Sequence, residues 1–126
     1  DGESMEPTFQ SGDRVFVSKL GEIENEDIVV IHYNEKKLIK RLIGMKGDTI
    51  EFREGEVYVN GELIVEKYLD ETNTLSNIES FELKEDEIFV LGDNRGNSLD
   101  SRIFGPINVS AIEGKVLFEM PWFKIE

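Results

Sequence analysis

The feature that most restricts how this chain can fold is Asn60-Gly61, set between Val57-Tyr58-Val59 and Leu63-Ile64-Val65. An Asn-Gly pair between alternating apolar residues marks a two-residue hairpin turn, because both central positions need a positive φ that these residue types tolerate. The remaining chain carries the same β signal. Arg14 to Ser18, Asp27 to His32, Leu38 to Ile43, Glu87 to Leu91 and Lys115 to Glu119 are short runs rich in β-branched or aromatic residues, bounded by Gly, Asn or charge. Gly44 to Asp48 reads as a turn, and Asp70 to Ser80 as a polar surface loop. No amphipathic pattern is long enough for a three-turn helix, and no repeats or low-complexity tracts occur. The expectation is a mostly β, antiparallel protein.

With 126 residues the chain is one domain by length, with room for a small appended subdomain. Hydrophobic residues at 39% and charged residues at 33% suit a folded protein. The net charge of −13 repels phosphate backbones and anionic head groups, which speaks against nucleic acid as a partner. The absence of cysteine excludes disulfides, thiol chemistry and Cys-based zinc sites. The longest aliphatic run, Ile28 to Ile31, falls far short of the ~20 apolar residues a membrane helix needs. No signal peptide precedes Asp1, so the chain as given reads as soluble.

Most hydrolytic constellations can be tested by elimination. A Ser-His-Asp triad would need the single histidine, His32, which sits at a strand end and reads as an ordinary surface or edge residue. A nucleophile elbow starts at Gly2-Glu3-Ser4-Met5 but fails at Glu6, and no Ser-x-x-Lys occurs. A calcium loop over Asp93 to Asp100 is spoiled by Arg95 at a ligand position and by Phe104 where a bidentate glutamate belongs. No metal or cofactor is expected.

Three segments remain that read as a set. They are Ser4-Met5-Glu6-Pro7-Thr8; Leu38-Ile39-Lys40-Arg41-Leu42-Ile43-Gly44 with Gly47-Asp48; and Gly92-Asp93-Asn94-Arg95 running on to Asn97-Ser98-Leu99-Asp100-Ser101-Arg102 and Phe104-Gly105. In this order, and with Gly12-Asp13-Arg14-Val15, they closely resemble the catalytic domain of type I signal peptidases of the Gram-positive kind, over nearly the whole chain. The resemblance implies a serine endopeptidase with Ser4 as nucleophile, Lys40 as general base and Ser98 as the hydroxyl holding the lysine amine. It also implies Asp100 and Arg102 as a bracing ion pair. Met5 follows the nucleophile, and Pro7 fixes φ in the turn that presents it. The Ser4 N–H would be one oxyanion donor. Gly2 stands where some members carry a second, hydroxyl donor.

Elementary chemistry agrees with a serine–lysine pair. A lysine can accept a proton from serine only if its own amine is neutral, so its pKa of about 10.4 must fall by roughly 2 to 3 units. Apolar burial does this. Strand residues two apart share a face, so Lys40 lies between Leu38 and Leu42. Arg41 falls on the opposite face with Ile39 and Ile43, and a guanidinium stays charged.

The family further implies an antiparallel β catalytic core of the signal-peptidase and repressor-autoprotease type, expected at residues 1–50 and 88–126. A small inserted β subdomain is expected at 51–87. Substrates would be secretory preproteins cut after small residues in an Ala-x-Ala-like pattern, bound as extended strands near Ser4 and Lys40. An N-terminal anchor upstream of Asp1 would hold the domain on the outer face of a bacterial cytoplasmic membrane. Two rivals are a self-cleaving repressor-type domain and an inactive paralogue that holds peptides for surface-protein assembly. Which preproteins are cut, how many anchors exist and the oligomeric state are not legible in these residues.

Overall fold

In the computed structural model, residues 4–8, 15–18, 22–64, 76, 79–96 and 98–119 are described, with only the backbone at 15–18 and 118–119. Ten strands run β1 Val15–Ser18, β2 Ile28–Tyr33, β3 Lys36–Gly44, β4 Thr49–Arg53, β5 Glu56–Val59, β6 Glu62–Leu63, β7 Phe81–Glu82, β8 Glu87–Leu91, β9 Ile107–Asn108 and β10 Ile112–Glu119. One helical turn, α1 Ser101–Phe104, precedes β9. A six-stranded antiparallel sheet has the order β1-β10-β2-β3-β8-β9, and a four-stranded antiparallel sheet the order β6-β5-β4-β7. The protein is therefore mostly β, as the short segments imply.

The Asn60-Gly61 hairpin forms, with Val59 opposite Glu62 and φ of 55° and 82° at the two turn residues. Asn60 does more than tolerate the turn: its side chain accepts the Thr49 N–H at 2.9 Å and donates to Asp48 at 3.0 Å, tying β4 to the hairpin. Two further turns of this kind join β2 to β3 at Asn34-Glu35 and β4 to β5 at Glu54-Gly55, again with positive φ at both positions. Their weaker residue pairs carry no signal as strong as Asn-Gly, and β4 itself, directly after the Gly44 to Asp48 turn, is not foreseen from sequence. Of the expected strand at residues 63–65, Leu63 lies in β6 and Ile64 follows it, while Val65 falls outside the described residues. The expected loop at 70–80 falls almost entirely outside the described residues.

Two apolar clusters flank the central strands. Val29, Ile31, Leu38, Leu42, Ile88 and Val90 make one; Ile43, Ile50, Val57, Leu83, Phe89 and Leu91 make the other, shared between the two sheets. Strand period explains the split, since β8 turns Ile88 and Val90 to one side and Phe89 and Leu91 to the other. Strand β3 is buried on both faces over its last five residues, Lys40 to Gly44. Its end is crowded: a Cβ on Gly44 would meet Ile50 of β4 at 2.7 Å and Leu83, which follows β7, at 3.0 Å.

Replacing Gly61 by valine, at φ +82° with open space around the position, should destabilise the fold by about 1–2 kcal/mol through backbone strain alone. Urea unfolding would show the lowered midpoint. Peptide turnover at a temperature below melting should not change.

Candidate active site

The side chain of Lys40 has no exposed surface. Val29 lies directly across the β2–β3 ladder from it, and Leu38 and Leu42 flank it on its own strand, so the amine emerges from an apolar wall. At the far end its Nζ donates to Ser98 Oγ at 3.2 Å. Desolvation is the largest influence and pulls the pKa of Lys40 down to about 8; nearby Asp100 opposes this, and Arg102 adds to it. At mildly alkaline pH a large share of the amine is therefore neutral.

Asp100 is fully buried. Left alone it would hold a proton on Lys40. Arg102 offsets part of this with a two-pronged pair, its Nε at 2.9 Å from Oδ1 and its NH2 at 2.8 Å from Oδ2. The same carboxylate caps α1 through the Arg102 N–H and accepts the Gly92 N–H at 3.0 Å, so one acid fixes both ends of the loop that carries Ser98. Arg102 also donates to the Arg95 carbonyl at 2.9 Å, and Arg95 to that of Gly92 at 2.7 Å. The expected bracing pair is present, with the loop wound around it.

Ser4, in the turn formed by residues 4–8, is 2% exposed, and its carbonyl accepts the Asn94 N–H at 2.7 Å. Gly92 shows how tightly the segments meet. A Cβ there would lie 2.0 Å from Ser98 Oγ and 2.6 Å from the Ser4 carbonyl oxygen, so a missing side chain lets the Ser4 main chain come up against Ser98, the hydroxyl that the Lys40 amine bonds. Met5 is buried, and its sulfur accepts the Asp93 N–H at 3.4 Å. Gly2, and with it any second oxyanion donor, lies outside the described residues. His32 is more than half exposed at the end of β2 and pairs with Glu113 at 2.8 Å, remote in role from the buried loop.

The family model for signal peptidase, peptidase S26, matches residues 1–122. The chain belongs to that family. Among its relatives, signal peptidase I P of Bacillus subtilis subsp. natto is 38% identical over 138 residues, 94% of this chain and 75% of the relative. Signal peptidase I of Bacillus caldolyticus is 40% identical over 142 residues, 98% of this chain and 78% of the relative. A crystal structure of a signal peptidase I from Enterococcus faecalis V583 superposes with a TM-score of 0.66 at 34% identity, covering 78% of this chain and 98% of that one. Membership makes the chain a serine endopeptidase of the signal peptidase I type, a family associated with membranes. No helix among the described residues is long and apolar enough to cross one.

One buried group plays a structural part that the sequence does not reveal. Arg41, taken there only as the charged contrast to Lys40, is 8% exposed and holds Asp93 by two bonds, Nε to Oδ1 at 2.9 Å and NH2 to Oδ2 at 2.6 Å. It also reaches the Glu26 carbonyl at 3.0 Å and Thr8 at 3.3 Å, while Thr8 donates to Asp93 as well. Asp93, met in the sequence as a failed calcium ligand, thus pins the Ser4 turn to β3 one residue from the lysine. Period 2 separates Arg41 from Lys40 correctly, but a buried opposite face cannot be read from one strand.

Two outcomes follow from this geometry. A lysine whose pKa drops from about 10.4 unfolded to about 8 folded weakens the fold fully at pH below 8, and the penalty fades as pH climbs toward 10.4. Lys40→Met should abolish turnover yet raise stability at pH 7 by roughly 1–3 kcal/mol, with the gain shrinking by pH 10 in denaturant titrations. Gly92→Ala should fold but lose at least ~100-fold in kcat, because a misplacement of about 1 Å is enough to do so.

Proposed function

We propose that this chain removes signal peptides from secretory preproteins with Ser4 as nucleophile and Lys40 as its general base. The observation that carries the reading is the buried Lys40 amine, its pKa near 8, hydrogen-bonded to Ser98 where the Ser4 turn and Gly92 converge. Ser4 Oγ adds to the scissile carbonyl and passes its proton to Lys40, which then protonates the departing amine. An ester acyl-enzyme remains. Water attacks it, and Lys40 takes that water's proton, so one base serves both half-reactions.

In this mechanism Ser98 orients the amine, and Asp100 and Arg102 brace the loop while cancelling one another's charge. Met5 fills the space beneath the Ser4 turn, and the Ser4 N–H donates to the developing oxyanion. Substrate enters as an extended strand, with small side chains in shallow apolar pockets as in an Ala-x-Ala sequence. Residues 1–50 and 88–126 serve as the catalytic core and 51–87 as an insertion that borrows Ile43, Phe89 and Leu91 for its own apolar cluster. An N-terminal anchor would hold the domain on the outer face of a bacterial cytoplasmic membrane, where the carboxyl ends of signal peptides emerge.

The test is a quenched peptide containing Ala-x-Ala, assayed in detergent. The native chain should turn it over with a kcat/KM that climbs about tenfold per pH unit below 8 and levels off above, because only the neutral amine is a base. Ser4→Ala and Lys40→Ala should each fall to background. Equal turnover by all three proteins, or a rate that declines as pH rises from 6 to 8, would refute these roles.

A further inference from the structure

A single helical turn cannot hold its own shape and has to be fastened from outside. α1 is such a turn, and it follows directly on Ser98, Leu99 and Asp100. Its fastenings lie on two strands. Toward β8, the Ser101 hydroxyl accepts the Val90 N–H at 3.0 Å, and the Asp100 carboxylate accepts the Gly92 N–H just past the strand. On β2, the Tyr33 ring stacks against that of Phe104, with centroids 4.2 Å apart and planes 26° from parallel. Strand β3 runs between β2 and β8, so the turn reaches across it from one neighbour to the other. It crosses on the face that holds the lysine. Val29, Ile31 and Tyr33 alternate onto that side of β2, and Leu38, Lys40 and Leu42 onto the same side of β3; both rings pack against the apolar cluster formed there.

The two fastenings differ in kind. Toward β8 they are hydrogen bonds of fully buried Asp100 and Ser101, whereas on β2 the contact is between two half-buried rings. The turn transmits displacement, because the Ile103 and Phe104 N–H groups both reach the Asp100 carbonyl, at 2.8 and 3.2 Å, two residues from Ser98. We propose that Tyr33 is a positioning residue for the reaction, stacking on Phe104 to hold α1 down across β3 so that Ser98 stays on the Lys40 amine and water stays off it. This rests on the Ser4–Lys40 reading above. The charged groups facing the amine are Asp100 and Arg102 of the crossing segment, while β2 and β3 present Val29, Leu38 and Leu42. Arg41 falls on the opposite face, as does His32, which pairs with Glu113 at 2.8 Å. Desolvation outweighs both facing charges, so lifting the turn raises the pKa of Lys40 from about 8 toward its ordinary value.

The experiment measures kcat and KM for the quenched Ala-x-Ala peptide in detergent from pH 6 to 10, each protein held below its melting temperature. The native chain is compared with Tyr33→Phe, Tyr33→Leu, Phe104→Leu, the double leucine variant and Gly61→Val, which is weakened away from the site. Tyr33→Phe keeps the ring and should match the native profile. Each single leucine variant should lose at least ~tenfold at pH 8, mostly in kcat, and carry the rising limb of kcat/KM at least ~0.5 pH unit higher. The double variant should fall no more than about twofold below the worse single one, because both remove one contact. Gly61→Val should keep the native limb. The proposal is overturned if a folded leucine variant keeps the native limb, if Tyr33→Phe loses as much as Tyr33→Leu, if the two losses multiply, or if Gly61→Val shifts the limb equally. Should one leucine variant not fold, the other decides; failure of both to fold also overturns it, since the rings then serve the fold alone. A native chain with no limb near pH 8 overturns the Ser4–Lys40 reading instead, whatever the ring variants do.

Discussion

Keeping one amine out of water is the condition on which this molecule is built. A lysine side chain with no exposed surface, on a strand whose neighbours are valine and leucine, is an expensive thing to fold around. That expense is the source of the basicity the chemistry requires, since the same desolvation that weakens the fold holds the pKa near 8. The electrostatic surroundings oppose that effect only in part, Asp100 raising the pKa and Arg102 offsetting some of the rise. An unpaired Asp100 would undo it, and an unpaired Arg102 would leave a second buried cation, but their two-bond pair presents almost no net charge.

What could be read from the residues, and what could not, divides along the range of the interactions involved. Asn60-Gly61 is a local device, so its hairpin is legible; the Asn34-Glu35 turn puts a glutamate, which rarely takes a positive φ, at its second position, and it is not. Strand period placed Lys40 beside Leu38 and Leu42, and the structure agrees. The same period put Arg41 on the other face and left it there as a bystander, because the identity of what covers that face depends on Asp93, fifty-two residues away. Strand β4 was missed for a similar reason. Its Thr49-Ile50-Glu51-Phe52-Arg53 pattern is short and carries two charges, and it becomes a strand by pairing with β5, an arm of the Asn60-Gly61 hairpin, and with β7, which the sequence does not announce.

The acidic composition also takes on a clearer meaning beside the structure. Among the described residues the buried carboxylates are Asp93 and Asp100, and both are engaged, Asp93 by Arg41 and Thr8, Asp100 by Arg102 and the Gly92 N–H. The other carboxylates among the described residues lie at or near the surface, where solvent screens them, and not in the site. Asp48 is the intermediate case, a carboxylate held below its ordinary pKa against the cost of partial burial by bonds from Met45, Asn25 and Asn60.

Strand β8 links these parts in a way that bears on how the enzyme can evolve. Its residues point alternately into the two apolar clusters, and its last residue, Leu91, leads without interruption into Gly92 and Asp93. The four-stranded sheet is thus not ornamental padding that a lineage could shed. Trimming it would strip the cover from Phe89 and Leu91, slacken the strand that delivers the Gly92 carbonyl and amide, and so loosen the reaction centre from a distance. Length variation among such enzymes should consequently gather at hairpin tips such as Glu54-Gly55, where added residues would project into solvent and tug on nothing.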